Sequence, residues 1–339
     1  MIELIPEIKN HTEGIIHLIH GLSVFFLILV VSLILRIIIL RHLKRRRAVR
    51  RMKLQDKGLK LIHIFLFEET SLDAEIVQEF QRKHLRTDWR KKTFTDQVIE
   101  FLENFRGEST GKLKELFCAL KLDQYVFGIL KEGKWYEQAV AIHYCSELSL
   151  KADDLIKKLL NHKYYRVREQ AYYYFVKTAE SNPLAFIEHL DHELTMWEMI
   201  NLEDCLRYYY TGSEPDFSIG LSHPLISVRI FAIRLIGVFN QFEHSLKILP
   251  FLQAEKDRVR TETIKALSRL QYAELHTHLL RNFPGESPRV QDHILNVILD
   301  KGSYTEIKAL ETLIPGCHAQ TQRRFERNRR LVSPAHKIA

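Results

Sequence analysis

At 339 residues, 46% hydrophobic and 27% charged, the chain is long enough for one or two domains with real cores. Only 13 glycines and 9 prolines punctuate it, which argues against a fold of many short strands and turns. The formal charge of +8 is concentrated rather than spread over a folded face, which argues against a nucleic-acid binder.

Residues 41–53 hold eight bases and no acid, and residues 323–339 hold six bases and one acid. Residues 1–40 carry −1, so 54–322 carry −4 and the predicted folded body is mildly acidic. Cys118, Cys145, Cys205 and Cys317 lie far apart with no Cys-x-x-Cys pair. On apolar helical faces they read as small core residues in a reducing compartment.

From the N-terminus, Ile15 to Leu35 is a 21-residue run without a formal charge, and Ile37–Leu40 continue it after Arg36. At about 1.5 Å per residue the run spans roughly 32 Å, enough for a hydrocarbon core about 30 Å thick. A cleaved signal would have a basic start and a shorter apolar stretch; here Glu3, Glu7 and Glu13 precede the run and arginines follow it. Arg41, Lys44, Arg45, Arg46, Arg47, Arg50, Arg51 and Lys53 follow the span, against Lys9 alone before it. The positive-inside rule then predicts an external N-terminus of residues 1–14, a transmembrane helix over 15–40 and a cytoplasmic remainder, at a plasma (inner) membrane. Residues 41–53 are expected as a polybasic linker that either sets topology alone or also holds anionic lipid headgroups.

Residues 54–130 are expected to be irregular helical hairpins, with helical spacing in 73–84 (Ile76, Val77, Phe80), 94–105 and 113–122. Gly107–Lys112 resembles a phosphate loop but is one residue short, and Leu113 stands where a magnesium-binding hydroxyl belongs. A turn in which Ser109 or Thr110 caps the next helix is the better reading.

Residues 131–322 show a period of about 31. Leu160/Val167, Leu221/Val228, Leu252/Val259 and Phe283/Val290 each place an apolar residue seven before a valine, and apolar or small residues follow four and eight later. Leu190/Trp197 fits the same spacing, and Glu137, Ala141 and Cys145 trace a weaker unit. Positions i, i+4 and i+8 share one helical face, so each unit reads as a hairpin that must stack on its neighbours. Val167-Arg168, Val228-Arg229 and Val259-Arg260, with His223-Pro224 in a turn, resemble the HEAT-repeat family. The resemblance implies an all-α fold: an N-terminal transmembrane helix followed by a HEAT-like α-solenoid of helical hairpins. It also implies that the arginines form an internal polar ladder, with Asp257 and Glu169 as suitable acids. Tyr304–Leu313 would open a degenerate last unit, and 323–339 form a basic C-terminal tail.

Two tyrosine triplets stand out, 172–174 and 208–210. By alignment of units, Tyr172 and Tyr174 face the core, while Tyr173, Arg234 and Lys265 occupy one exposed register suited to a protein partner. His189, His192 and Glu193 invite a metal reading, but no further ligand recurs at matching positions. No catalytic residue, cofactor or metal ligand is nominated.

The leading expectation is a non-enzymatic, membrane-tethered scaffold for a protein partner at the cytoplasmic face. Phe105–Leu122 and Lys134–Trp135 are similar to bacterial single-pass HEAT proteins that accompany membrane glycosyltransferases of polysaccharide export, which makes such a synthase one expected partner. The alternatives are a lyase or glycosylase on a HEAT-like scaffold, and a module for polyanions or anionic lipid.

Overall fold

The computed structural model describes the backbone of residues 4–67, 74–104 and 108–332, and the side chains of 22–66, 74–102 and 111–327. Every regular element among the described residues is helical, with no strand among them. The chain divides into two compact units, residues 1–125 and 126–339.

In the first unit, α1 runs unbroken from Leu4 to Phe67. Residues 41–53, expected as a linker, are helical like their neighbours. The helix is long and apolar enough to cross a membrane, and its side chains from Leu22 to Leu40 are exposed. Below the collar α1 acquires a packed face: Leu54, Leu61 and Ile62 are buried. The helices α2 (Ala74–His84), α3 (Asp88–Asn104) and α4 (Glu108–Ala119) complete the unit, with α3 and α4 both packed on α1.

Gly58 lets Phe94 and Gln97 of α3 come against the α1 backbone, and Gln97 Nε2 donates to Gln55 O at 2.8 Å. Phe80 of α2 meets Phe94 at 5.4 Å between ring centres. Val77 is buried, but Ile76 is exposed, contrary to the apolar spacing expected there. Gly111 and Lys112 lie inside α4, which begins at Glu108, so Ser109 and Thr110 are helical residues and not its cap. Cys118 on that helix is exposed, not core.

The unit boundary falls within α5 (Leu122–Glu132). The second unit continues with α6 (Trp135–Glu147), α7 (Asp153–Lys157), α8 (Tyr165–Thr178), α9 (Met196–Tyr209), α10 (Ile226–Val238) and α11 (Ser245–Ile248). It ends with α12 (Asp257–Arg269), α13 (Leu275–Asn282), α14 (Pro288–Lys301), α15 (Tyr304–Leu313) and α16 (Ala319–Val332). Helices α6, α8, α9, α10, α12, α14 and α16 start at intervals of 30 or 31 residues. Five of the six consecutive pairs pack closely, α6 on α8, α8 on α9, α10 on α12, α12 on α14, and α14 on α16, while α9 and α10 are linked by the Glu203–Arg234 ion pair.

The third residue of each of these helices sits in one register: Glu137, Val167, Glu198, Val228, Val259, Val290 and Thr321. Most are buried at this position, including Val167, Glu198, Val228, Val259, Val290 and Thr321. In α9 the inward register begins one residue after the expected Trp197. Trp197 is 63% exposed, whereas Glu198, Leu202 and Leu206 face inward. Ala141 and Cys145 of α6 are fully buried, as the weaker unit required.

Three of the helix ends, those of α6, α10 and α12, share the period too. Ser149, Asn240 and Gln271 adopt left-handed backbone twelve residues after Glu137, Val228 and Val259. The next amides, of Leu150, Gln241 and Tyr272, donate to Cys145 O, Ile236 O and Leu267 O at 2.9–3.1 Å. This is the six-to-one bond that closes a helix and turns the chain back. The expected tail from Arg323 is instead the body of α16: Phe325 is buried and Arg324 pairs with Asp292 of α14 at 2.5 Å. Residues 333–339 lie outside the described residues.

Candidate partner groove

The face of α8 toward α9 carries Glu169, Gln170, Tyr172 and Tyr173, and α9 answers with Glu198, Asn201, Leu202, Asp204, Cys205, Tyr208 and Tyr209. Between them lies an open groove of about 280 Å³. Both tyrosine triplets therefore contribute to one surface.

Each triplet divides by helical phase. Tyr174 is buried; its hydroxyl donates to Leu150 O and accepts from Ala152 N, both at 2.9 Å, pinning the turn after α6. Burial pushes its phenol up to about 12, so it stays a neutral donor. Tyr172 is buried as well, stacked on Phe186 at 5.3 Å with its hydroxyl 3.2 Å from His192 Nε2. Tyr173, expected to be exposed, is half-buried because α6 and α9 flank it. Its hydroxyl donates to Glu147 Oε1 at 3.1 Å and its ring meets Tyr209 edge-on at 4.9 Å. Lys177 lies over both rings and pairs with Glu147 at 2.6 Å. Tyr208 is left 78% exposed at the rim and Tyr209 44%.

The three residues nominated for one register do not form one site. Tyr173 belongs to the groove, while Arg234 pairs with Glu203 of α9 at 2.6 Å and approaches Glu262 of α12 at 3.9 Å. Lys265 pairs with Glu262 at 3.4 Å. Arg234 thus sits in inter-helix ion pairs and Lys265 in a pair within α12, and their charge is already engaged. The eight collar bases, Arg41 to Lys53, lie exposed along α1 in the other unit.

The groove floor is held by the arginine ladder. Arg168 donates through Nε and Nη2 to Glu198 Oε1 at 3.0 and 2.8 Å, and through Nη1 to His162 O at 2.9 Å. Arg260 repeats the pattern, reaching back to Ala254 O at 2.6 Å, to Asp257 at 2.6 Å and across to Glu286 at 2.9 Å. Neither acid expected to pair across repeats does so with an arginine of the ladder: Asp257 takes Arg260 of its own helix, and Glu169 takes Arg166 at 3.3 Å and Asn201 at 2.6 Å. Burial would push Glu198 up, yet hydrogen bonds from Thr195 and Arg168 outweigh it and hold the carboxyl below its ordinary range.

The candidate metal residues have structural work. Glu193 accepts from Ile226 N and Ser227 N at the start of α10, and His192 bonds Asn161 as well as Tyr172. Cys205 of the groove is a thiol pushed up to about 11 by burial, then by Asp204 and Glu169, so it remains protonated at neutral pH. Gln170 Oε1 is buried with no hydrogen-bond partner among the described residues, an acceptor open to an incoming donor.

No family model matches this chain, and no curated protein matches it either. What the groove does is therefore argued from its chemistry. Aromatic faces, the carboxylate of Asp204 and the unused acceptor of Gln170 suit a basic, donor-bearing side chain far better than an anion or an apolar ligand, while Glu169 and Glu198 are engaged by their own neighbours. The signal that locates it in the sequence is the pair of tyrosine triplets; the missing step was Glu198, whose capping box with Thr195 fixes the phase of α9.

Proposed function

We propose that this chain is a membrane-tethered helical scaffold that holds a basic segment of a protein partner in the α8–α9 groove. In this reading α1 crosses the membrane over residues 15–40 with its N-terminus outside, and the hairpins of residues 131–332 stack as a HEAT-like solenoid in the cytoplasm. The 30–31-residue spacing of packed helices supports the solenoid, because a single hairpin leaves an apolar face that only its neighbours can cover. The observation that carries the binding role is the open groove lined by Tyr173, Tyr208 and Tyr209 beside Glu169 and Asp204. Exposed tyrosines of this kind supply contact area at low entropic cost and are enriched at protein interfaces. A non-enzymatic role fits the protonated Cys205 and the structural employment of His192 and Glu193. A membrane glycosyltransferase of polysaccharide export is the proposed partner, on the likeness of the chain's layout to single-pass HEAT proteins that accompany such enzymes.

The test is co-purification of that glycosyltransferase with the full-length protein from detergent extracts. Tyr208→Ala/Tyr209→Ala is expected to lose at least ten-fold in recovery with unchanged helicity. Equal recovery by the variant, or by the α1 segment alone, would remove the groove from the account.

A further inference from the structure

The positive charge of the first unit is not confined to the collar. Residues 82–92, joining α2 to α3, contain Arg82, Lys83, Arg86, Arg90, Lys91 and Lys92 against Asp88 alone. Three of these bases are neutralised locally, Lys83 by Glu79, Lys91 by Asp88 and Lys92 by Asp96. The arginines are in no ion pair among the described residues. His84, at the centre of the cluster, is held below its ordinary range by burial and then by Lys57, Arg90 and Lys83, a sign of the positive potential there.

The helix packing decides where this cluster lies. Trp89 and Thr93 of α3 stand beside Arg47, Arg50 and Arg51 of α1, whereas Phe94 and Gln97 stand beside Gln55 and Gly58. Residue numbers rise together along the two helices, so α3 runs parallel to α1 and begins at its collar end. At about 1.5 Å per residue Arg47 lies roughly 10 Å beyond Leu40, the last apolar residue of the run. The polar layer of each leaflet is roughly 5–8 Å deep, and a tilted span brings Arg47 nearer to it. Between the two helices is an open notch of about 620 Å³ lined by Arg47, Ala48, Arg50, Arg51, Trp89 and Thr93. Its lining holds three guanidiniums and no carboxylate, and none of the three is in an ion pair among the described residues. Trp89 is 45% exposed, with Arg90 over its ring at 5.5 Å, an amphipathic ring of the kind enriched where membrane meets water.

We propose that this notch is a site for the phosphate headgroup of an anionic phospholipid, bridged by Arg47, Arg50 and Arg51 with Trp89 seated at the interface. Guanidinium forks match phosphate oxygens bidentately, which a diffuse basic surface does not require. The proposal rests on α1 crossing the bilayer with its collar at the lipid surface. It adds that the collar acts through a shaped site with α3, beyond setting topology.

The test uses the full-length protein in neutral detergent, with Trp135→Phe/Trp197→Phe leaving Trp89 as the sole reporter among the three tryptophans. Dioctanoyl phosphatidylglycerol is expected to shift Trp89 emission saturably, while dioctanoyl phosphatidylcholine and inorganic phosphate at equal concentration do not. R47Q/R50Q/R51Q should weaken the lipid response at least tenfold, and R41Q/R45Q/R46Q less than threefold. Arg50→Gln alone, at an exposed position, should weaken it several-fold and keeps the test standing if the triple variant misfolds. Equal responses to both lipids, an equal response to inorganic phosphate, or equal loss in the two triple variants would each overturn the site. A micelle has no sides, so failure of the membrane orientation shows only in a C-terminal topology reporter and is separable from failure of the notch.

Discussion

At the scale of single residues, Glu198 explains both what the second unit shares along its length and where it departs. Four of its sister helices carry valine at the third position; α9 carries a carboxylate that is 3% exposed in its side chain, with Arg168 at 14%. A buried charge is tolerated only when paired, and breaking such a pair typically costs about 3–5 kcal/mol because the remaining ion is stranded. Glu198→Ala is therefore expected to lower unfolding stability by about 3 kcal/mol. Glu198→Val, although it restores the common residue, should do no better while Arg168 remains. Arg168→Met/Glu198→Val should recover most of the loss, and denaturant titration of the three variants checks the series. A second residue sets a pH dependence. Burial, then Lys265 and Arg289, hold His293 below the ordinary histidine range of about 6.5. A lowered folded pKa means the unfolded chain takes up the proton first, so this contribution is complete above about pH 6.5 and is lost as pH falls through the lowered value. The drop in melting temperature between pH 7.5 and 5.5 should be larger for the wild type than for His293→Gln. Much of this scale was hidden in the sequence. The buried faces of Tyr172 and Tyr174 follow from helical phase, but Tyr173 looks exposed until α6 and α9 are placed around it. Arg234 likewise reads as a free charge until Glu203 and Glu262 arrive from other helices, whereas Lys265 is paired with Glu262 three residues before it on its own helix.

At the scale of elements, periodicity carried most of the information, since apolar spacing and 31-residue recurrence need no knowledge of partners. The helix ends carried less. Ser149 and Gln271 occupy left-handed positions where glycine is the usual residue, so nothing in their side chains announces a stop; only Asn240 is of a type that favours this backbone. Their conformation is imposed by the returning amide bond and by burial of the following helix. That imposition has a cost, of order 1 kcal/mol for a residue with a Cβ. Gln271→Gly keeps the bond from Tyr272 to Leu267 and relieves the crowding, offset by the greater freedom of glycine when unfolded. A net gain of roughly 0.5 kcal/mol, seen as a melting temperature one to a few degrees higher, is expected. A fall instead would mean that the Gln271 side chain contributes packing that outweighs the strain. Close approach sets the opposite demand at Gly237, where an added Cβ would meet Ala266 Cα at 2.6 Å, so α10 and α12 touch backbone to backbone. The unbroken run of α1 through eight bases was missed for a related reason. Like charges four residues apart weaken an isolated helix by only a few tenths of a kcal/mol each. Packing of Leu54, Leu61 and Ile62 on one side, and the apolar run on the other, holds the intervening turns helical.

At the scale of the whole molecule, the proposed orientation of α1 rests on the distribution of charge. The span itself is close to neutral with respect to direction: its apolar residues would cross either way. In the proposed orientation, direction is selected by the contrast between Lys9 on one side and eight bases within thirteen residues on the other. Because topology counts Lys and Arg near the span rather than net charge, the acids at Glu3, Glu7 and Glu13 contribute little, and the contrast is nearly all in the collar. A reporter that works only outside the cytoplasm, fused after Ala339, should therefore be silent in the wild type. Replacing the eight collar bases with glutamine while adding four lysines before Ile15 reverses the contrast and should turn that reporter on. Neutralising only Arg47, Arg50 and Arg51 leaves five bases and should leave it silent. If the reporter is active in the unaltered protein, the groove and the notch both face the wrong compartment for the roles assigned to them. If it stays silent after the reversal, the folded second unit, too large to translocate readily, rather than the collar, dictates the orientation.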